Sequence, residues 1–235
     1  MFLFLKLVLA HLIADFVLQF EELYQLKVRR FMGHLLHVLI HAGVTAILLF
    51  PYLNEPVILL FIAFLTGEHL LQDLTKYSLT QKFPAKKFLY YIVDQISHFA
   101  VLALIFLVPF ANEARALPGS QSLNFLYRYP PITGLFIFFV LLTFAANYTL
   151  NSFYVSYVKG CRPFHWITSR EMTVAILERT AIAAAVILGR SPFLVALSLA
   201  AGLIRLPFKD LRSWRDFLLS AVYSLTLSYG FLACL

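Results

Sequence analysis

Histidine and aspartate recur at one spacing in the first hundred residues of this chain, always inside apolar segments. Four segments each carry two of these residues four positions apart, beginning with His11 and Asp15. In an α-helix, side chains four positions apart lie on one face, one turn from each other. Each helix would therefore present two potential metal ligands to its neighbours. The other pairs are His37 and His41, His69 and Asp73, and Asp94 and His98.

These residues lie where ionisable side chains are costly. One charged side chain at the centre of a membrane helix costs about 2.5–3.5 kcal/mol on insertion scales, so such residues are functional candidates. Neutral imidazoles and ionised carboxylates are ligands for Zn, Mn and Fe, and the metal charge offsets that of the carboxylates. We therefore predict two divalent metal ions in the core of a four-helix bundle. The predicted metal ligands are His11, Asp15, His34, His37, His41, His69, Asp73, Asp94 and His98.

Two alternatives to a metal site remain open from the sequence. The same residues could carry protons through a transporter, or they could join helices by polar packing. Nine candidates also exceed what two ions with open positions need. One or two of them, His34 foremost, would then support the ligands or face the substrate.

Three further polar residues are candidates for substrate contacts. Gln19 and Lys76 continue the ligand faces of their helices towards the cytoplasmic mouth of the predicted site. Lys76 could bind an anionic group of a substrate, or its stem could extend to the lipid headgroups. Arg179 follows Glu178 inside an apolar segment, where it could bind substrate or form an ion pair that fixes helix packing.

The elements that carry these residues are membrane helices. Of the 235 residues, 61% are hydrophobic and 13% are charged, with a mean hydropathy of +0.81. A helix that crosses a membrane needs about 20 mostly apolar residues. We predict an all-α, polytopic membrane bundle of eight transmembrane helices, or seven if the short seventh run is re-entrant. The apolar runs are 1–20, 31–51, 56–77, 87–110, 131–157, 172–189, 192–206 and 214–234.

Little of the chain remains for a soluble domain. We predict one integral membrane domain over residues 1–235, with a four-helix metal-site half at 1–110 and a C-terminal helical half at 131–235. The two cysteines, Cys161 and Cys234, provide neither a disulfide framework nor a CxxC metal site.

Basic residues are unevenly divided between the connections of the predicted helices. The odd-numbered connections hold 14 Lys and Arg residues, and the even-numbered connections hold three. Because cytoplasmic loops carry an excess of Lys and Arg, we predict that both termini lie outside. This distribution explains the net charge of +7, so no nucleic-acid partner is expected. In this orientation the His and Asp pairs lie in the cytoplasmic half of the membrane.

Four ordered motifs carry a family resemblance. They are HLIADFVLQ at 11–19, GHLLHVLIH at 33–41, HLLQDLTK at 69–76 and DQISH at 94–98. Together they resemble a widespread family of bacterial integral membrane proteins of unknown function, over residues 5–100. The resemblance implies a multi-pass protein of the bacterial inner membrane with a shared polar site.

The ligand types favour one reaction class. Two divalent ions held by His and Asp can activate water and neutralise charge on a phosphoryl or acyl oxygen. We therefore predict a membrane-embedded, metal-dependent hydrolase that acts on a lipid or lipid-linked anionic substrate at the cytoplasmic leaflet. A non-haem di-iron oxidoreductase, of the hydroxylase or desaturase type, is the first alternative. A metal or proton transporter is the second.

Overall fold

The computed structural model describes residues 1–119, 121–157, 170–189, 192, 196 and 214–233, and within these residues all regular secondary structure is helical. The all-α prediction is therefore confirmed. The described helices are α1 (Phe2–Leu12), α2 (Glu21–Arg29), α3 (Phe31–Leu48), α4 (Pro56–Lys82), α5 (Lys87–Leu102), α6 (Gln121–Arg128), α7 (Pro130–Val140), α8 (Ala146–Tyr157), α9 (Arg170–Ala184) and α10 (Trp214–Ala233).

Several helices are long and apolar enough to cross a membrane. Phe31–Leu48, Pro56–Lys82, Pro84–Leu107 and Pro130–Tyr154 meet this criterion alone, and the first helix meets it together with α2. The chain is therefore a membrane protein. The predicted seventh run, 192–206, lies almost entirely outside the described residues, so the count of eight spans stays a prediction.

The chain forms two compact units. The first comprises Met1–Ile137 and Ser152–Arg162, and the second comprises Phe138–Asn151 and Pro163–Leu235. The prediction of a single integral membrane domain stays a prediction.

In the first unit, four helices close into a ring. Helix α3 packs against α1 and α4, and α5 packs against α1 and α4. Each of these helices, or the turn that continues it, carries one of the predicted His and Asp pairs. The ring therefore brings the four pairs to a common interior.

The first apolar run is not a single straight helix. After α1 the chain makes a π-helical turn at Ile13–Val17, and it then bends by 84° into α2. The segment expected from the sequence to be only a connection is thus helical, with two glutamates in its first turn and basic residues in its last. Charges of these signs at these ends stabilise a helix through its dipole.

Helix α2 packs very closely against the start of α3. A Cβ atom added to Gly33 would lie 2.3 Å from the backbone nitrogen of Lys27. Only a residue without a side chain fits here, so Gly33 determines how near α2 comes to the ring.

The opposite end of the ring is closed by a buried tyrosine. The Tyr52 hydroxyl donates to the Glu113 carbonyl at 2.5 Å and accepts from the Arg115 amide at 2.9 Å. The Arg115 guanidinium covers the Tyr52 ring and pairs with Glu55 at 2.7 Å. Burial raises the pKa of the Tyr52 phenol above its ordinary value. These bonds tie the segment after α5 over the ends of α3 and α4.

The second unit has its own apolar packing. Phe138 and Leu142 pack with Ala183, and Ile182 packs with Phe217 and Ala221 of α10. A second π-helical turn, Leu141–Ala145, joins α7 to α8 and packs against α9.

Candidate metal centre

The ring of helices places all nine predicted ligands in its interior. None of them exposes more than 7% of its surface. Burial of this many polar side chains is costly unless each has a partner. Their mutual distances show which partners each side chain has.

Four of the nine present their ligand atoms to one point. Asp15 lies on the π-helical turn, a feature that is frequent at functional sites. Its Oδ1 atom lies 2.9 Å from Nε2 of His41, 3.2 Å from Nε2 of His37 and 3.6 Å from Nε2 of His69. The Nε2 atoms of His37 and His69 are 3.2 Å apart. These four residues form the first of two groups whose ligand atoms all lie within 4.8 Å of one another.

The spacing of this first group fits a tetrahedral metal ion. Metal–ligand bonds of about 2.0–2.1 Å in a tetrahedral zinc site place neighbouring ligand atoms about 3.3 Å apart. The four distances given above run from 2.9 to 3.6 Å. Three imidazoles and one carboxylate are also a donor set that zinc, manganese and iron accept. The first group is therefore able to hold a divalent ion.

The second group consists of three imidazoles, His11, His69 and His98. The His69 and His98 rings stack at 4.3 Å, and the His11 and His98 ring centres are 4.8 Å apart. Nε2 of His98 is buried and makes no well-formed hydrogen bond among the described residues, and Oδ1 of Asp94 lies 3.4 Å from it. A polar atom left in this state is costly, and a bound metal ion would satisfy it. His69 belongs to both groups.

A cavity opens beside the second group. It encloses about 30 Å³ and is lined by the imidazoles of His11, His41, His69 and His98. About 10–15 Å³ is enough to hold a water molecule, provided that polar partners are present. Here the polar partners on the lining are Thr45, Thr66, Glu68 and Gln72, and the rest of the lining is apolar.

The three remaining predicted ligands, His34, Asp73 and Asp94, lie among ion pairs with Lys27 and Lys76. We call these five residues the charged layer. The Asp73 carboxylate contacts His34 at 2.7 Å, Lys27 at 2.8 Å and Lys76 at 3.2 Å. Lys76 also binds Asp94 at 2.8 Å. Among the described residues, neither metal group includes His34, Asp73 or Asp94. Asp73 thus faces two lysines and His34, whereas Asp94 binds Lys76 through Oδ2 and faces His98 of the second group through Oδ1, at 3.4 Å.

One member of this region, Lys27, was not predicted from the sequence. Lys27 is 8% exposed and donates to Gln19 at 2.9 Å, so the predicted candidate Gln19 contacts the charged layer. The signal in the sequence was the spacing of Lys27 four residues after Leu23, the other buried residue of α2. Gln95 lies between the metal groups and the charged layer and contacts both. The sequence had indicated Gln95 as a neighbour of the ligands, through its position in the motif DQISH.

Comparison with known families matches the part of the chain that carries these site residues. Residues 3–123 match a family described as a protein of unknown function, DUF3307. The chain belongs to the DUF3307 family. The region that matches DUF3307 contains all nine predicted ligands and both lysines of the charged layer. Searches of the curated proteins and of the solved structures found no significant match.

Arg179 lies outside the DUF3307 region, in the second unit. It is fully buried, and its guanidinium donates to the carbonyls of Leu142 at 2.7 Å and Thr143 at 3.0 Å. It also donates to the Asn147 amide oxygen at 2.7 Å and to the Ser220 hydroxyl at 3.3 Å. These bonds join α9 to the π-helical turn Leu141–Ala145, to α8 and to α10. Its described contacts are thus contacts that hold helices together.

Proposed function

We propose that this DUF3307 protein is a membrane-embedded, metal-dependent hydrolase of a lipid or lipid-linked anionic substrate. The observation that carries the proposal is the group of three imidazoles beside a cavity of water size. Catalytic zinc sites use three protein ligands and keep one position open for water, whereas structural sites are closed by four. The group of His11, His69 and His98 has the number of ligands that leaves such a position open.

A divalent ion held there would lower the pKa of a water molecule and stabilise negative charge on the bond under attack. Side chains on the cavity wall would hold the water molecule in place. Thr66, Glu68 and Gln72 on α4 line the cavity and can hold water by hydrogen bonds. The apolar remainder of the lining limits the entry of bulk water.

Lys76 is the group that we propose for the anionic part of the substrate. Its side chain is 25% exposed, whereas the Asp73 and Asp94 side chains that it contacts are 3% and 2% exposed. A substrate phosphate or carboxylate that reaches Lys76 would therefore meet a positive charge already held in place. Replacement by methionine should raise KM for an anionic lipid and leave the metal content unchanged, because a protonated lysine donates but does not ligate.

The distribution of Lys and Arg along the chain supports the remaining part of the proposal. It favours both termini outside and a site that opens to the cytoplasm. The bacterial inner membrane is what the family resemblance implies. The substrate would then be a lipid of the cytoplasmic leaflet.

One observation favours a second function, a non-haem iron oxidoreductase. The two metal groups together contain five imidazoles and a single carboxylate, and the other two aspartates pair with lysines. A centre so rich in histidine also suits iron.

One experiment separates these functions. The purified protein, loaded with Zn, Mn or Fe(II) in turn, is incubated with a bacterial polar lipid extract in water enriched in ¹⁸O, and separately under ¹⁸O₂ with a reductant. Label in the product from water, supported by Zn or Mn, is the expected result. Label from ¹⁸O₂ in the product, or a new double bond formed while O₂ is reduced to labelled water, would replace the hydrolase with the oxidoreductase if it requires Fe. A protein that binds none of these metals would refute both.

A further inference from the structure

Gln95 has a position that neither the predicted ligand set nor the proposed reaction uses. Its amide nitrogen donates to Oδ2 of Asp15 at 3.2 Å and to Oδ2 of Asp94 at 3.3 Å. Its amide oxygen lies 3.4 Å from Nε2 of His11. One side chain on α5 thus contacts both metal groups and the charged layer.

The two aspartates determine which way this amide points. An ionised carboxylate only accepts hydrogen bonds, so the group that faces Asp15 and Asp94 must be the donor, the –NH₂. The amide oxygen must then face His11. The usual ambiguity between the oxygen and nitrogen of a glutamine is removed by its neighbours.

The orientation of Gln95 in turn determines the proton on His11. Nε2 of His11 faces the amide oxygen of Gln95 and, at 3.5 Å, Oδ2 of Asp15. Both neighbours are acceptors, so Nε2 must carry the hydrogen. In a neutral imidazole the lone pair is then on Nδ1.

We infer that Gln95 is a positioning residue of the metal centre, which orients Asp15 and leaves Nδ1 of His11 as the nitrogen offered to a metal ion. Asp15 presents Oδ1 to the first group, while Gln95 and His11 hold its Oδ2. Metal-binding histidines usually donate their other N–H to such a partner. This inference rests on the metal site of the proposed function.

The first test needs no metal. Nitrogen-15 NMR of the metal-free protein, with the His11 signals assigned from a His11→Asn variant, reports which ring nitrogen carries hydrogen. The expected result is a protonated Nε2 and an unprotonated Nδ1. Protonation at Nδ1 in the metal-free protein would overturn the inference.

The second test is the zinc affinity of Gln95→Met, a variant of similar length without hydrogen-bonding groups. Loss of a supporting partner typically weakens metal binding by about 10–100-fold, and we expect a loss in this range. The control is Gln25→Met on α2, because among the described residues this glutamine donates to Glu21 at 2.7 Å and has no contact with the metal groups. Its affinity should equal that of the wild type. Equal affinity in Gln95→Met would overturn the inference, whereas absence of zinc binding in the wild type would refute the proposed function.

Discussion

Three aspartates occur at the same spacing to histidine, yet they have different surroundings. Asp15 is enclosed by imidazoles, with three of them within 3.6 Å of its Oδ1 atom. Asp73 and Asp94 instead bind Lys76, and Asp73 also binds Lys27. A carboxylate that is already neutralised by lysine has less charge to offer a metal ion. At the scale of single residues, Asp15 is therefore the acidic ligand of the first metal group.

Asp15→Asn should remove metal binding at the first group, which contains Asp15. The amide keeps the shape of the side chain but loses the negative charge that compensates the ion in a buried site. We expect the zinc affinity to fall by more than about 100-fold, beyond the loss that follows from removing a supporting partner. Competition with a chromophoric chelator measures it.

The matched control is Asp73→Asn on α4. It removes the same negative charge, but from the charged layer, where Asp73 binds Lys27 and Lys76. Its zinc affinity should stay within a few-fold of the wild type. If both variants lose metal equally, the separation of the metal groups from the charged layer is wrong.

Arg179→Met should lower stability without affecting the metal. Its loss would remove the side-chain donor from the carbonyls of Leu142 and Thr143 and from the Asn147 amide oxygen. Unsatisfied buried acceptors cost about 1–3 kcal/mol each. The free energy of unfolding, measured by SDS titration in mixed micelles, should fall by about 3 kcal/mol or more.

Arg179→Lys tests the same point with the charge retained, because lysine cannot reproduce the planar fork of the guanidinium. It should also be destabilised, and both variants should keep the wild-type metal content while folded. An increase in KM without loss of stability would instead make Arg179 a substrate contact.

At the scale of elements, the position of α2 depends on one glycine. Gly33→Ala would push the start of α3 against the backbone of Lys27, and backbone atoms cannot move aside as a flexible side chain can. We expect α2 to shift and Lys27 to leave Asp73. The cost should be about 1–3 kcal/mol, as for other overpacked substitutions, measured by the same SDS titration.

Gly43→Ala on the same helix is the control. A Cβ there would have no neighbour within 4 Å, and alanine favours the helix interior by roughly 1 kcal/mol over glycine. This variant should be as stable as the wild type or more so. Equal behaviour of the two variants would mean that close packing of α2 does not depend on Gly33.

At the scale of the whole molecule, the orientation of the chain in the membrane can be tested by cysteine labelling. After replacement of Cys161 and Cys234 by serine, single cysteines are introduced by Phe83→Cys and Pro118→Cys, both at exposed positions. The excess of Lys and Arg in the odd connections predicts that position 118 reacts with an impermeant thiol reagent in intact cells. Position 83 should react only with a permeant one. The reverse pattern would place the site and its substrate on the outer side.

Much of this protein was determined by local properties of its sequence. Runs of apolar residues predicted α3, α4 and α5 to within a few residues at most ends, because a helix in lipid must be long and apolar whatever its neighbours are. The i, i+4 spacing predicted that His69 and Asp73 share one face of α4. The four pairs were predicted to converge because four helices with such a face pack in one bundle.

The tertiary structure decided how the polar residues are divided. Spacing along a helix gives a side chain its face, but its partner depends on which helix packs opposite and at what depth. The 84° bend after Val17 brings Lys27 to Asp73, and Gly33 allows the approach. Asp15 and Asp73 look equivalent in the sequence, and one faces imidazoles while the other faces lysines. That difference arises from contacts between residues up to 80 positions apart, such as Gln95 with Asp15, which no local pattern encodes.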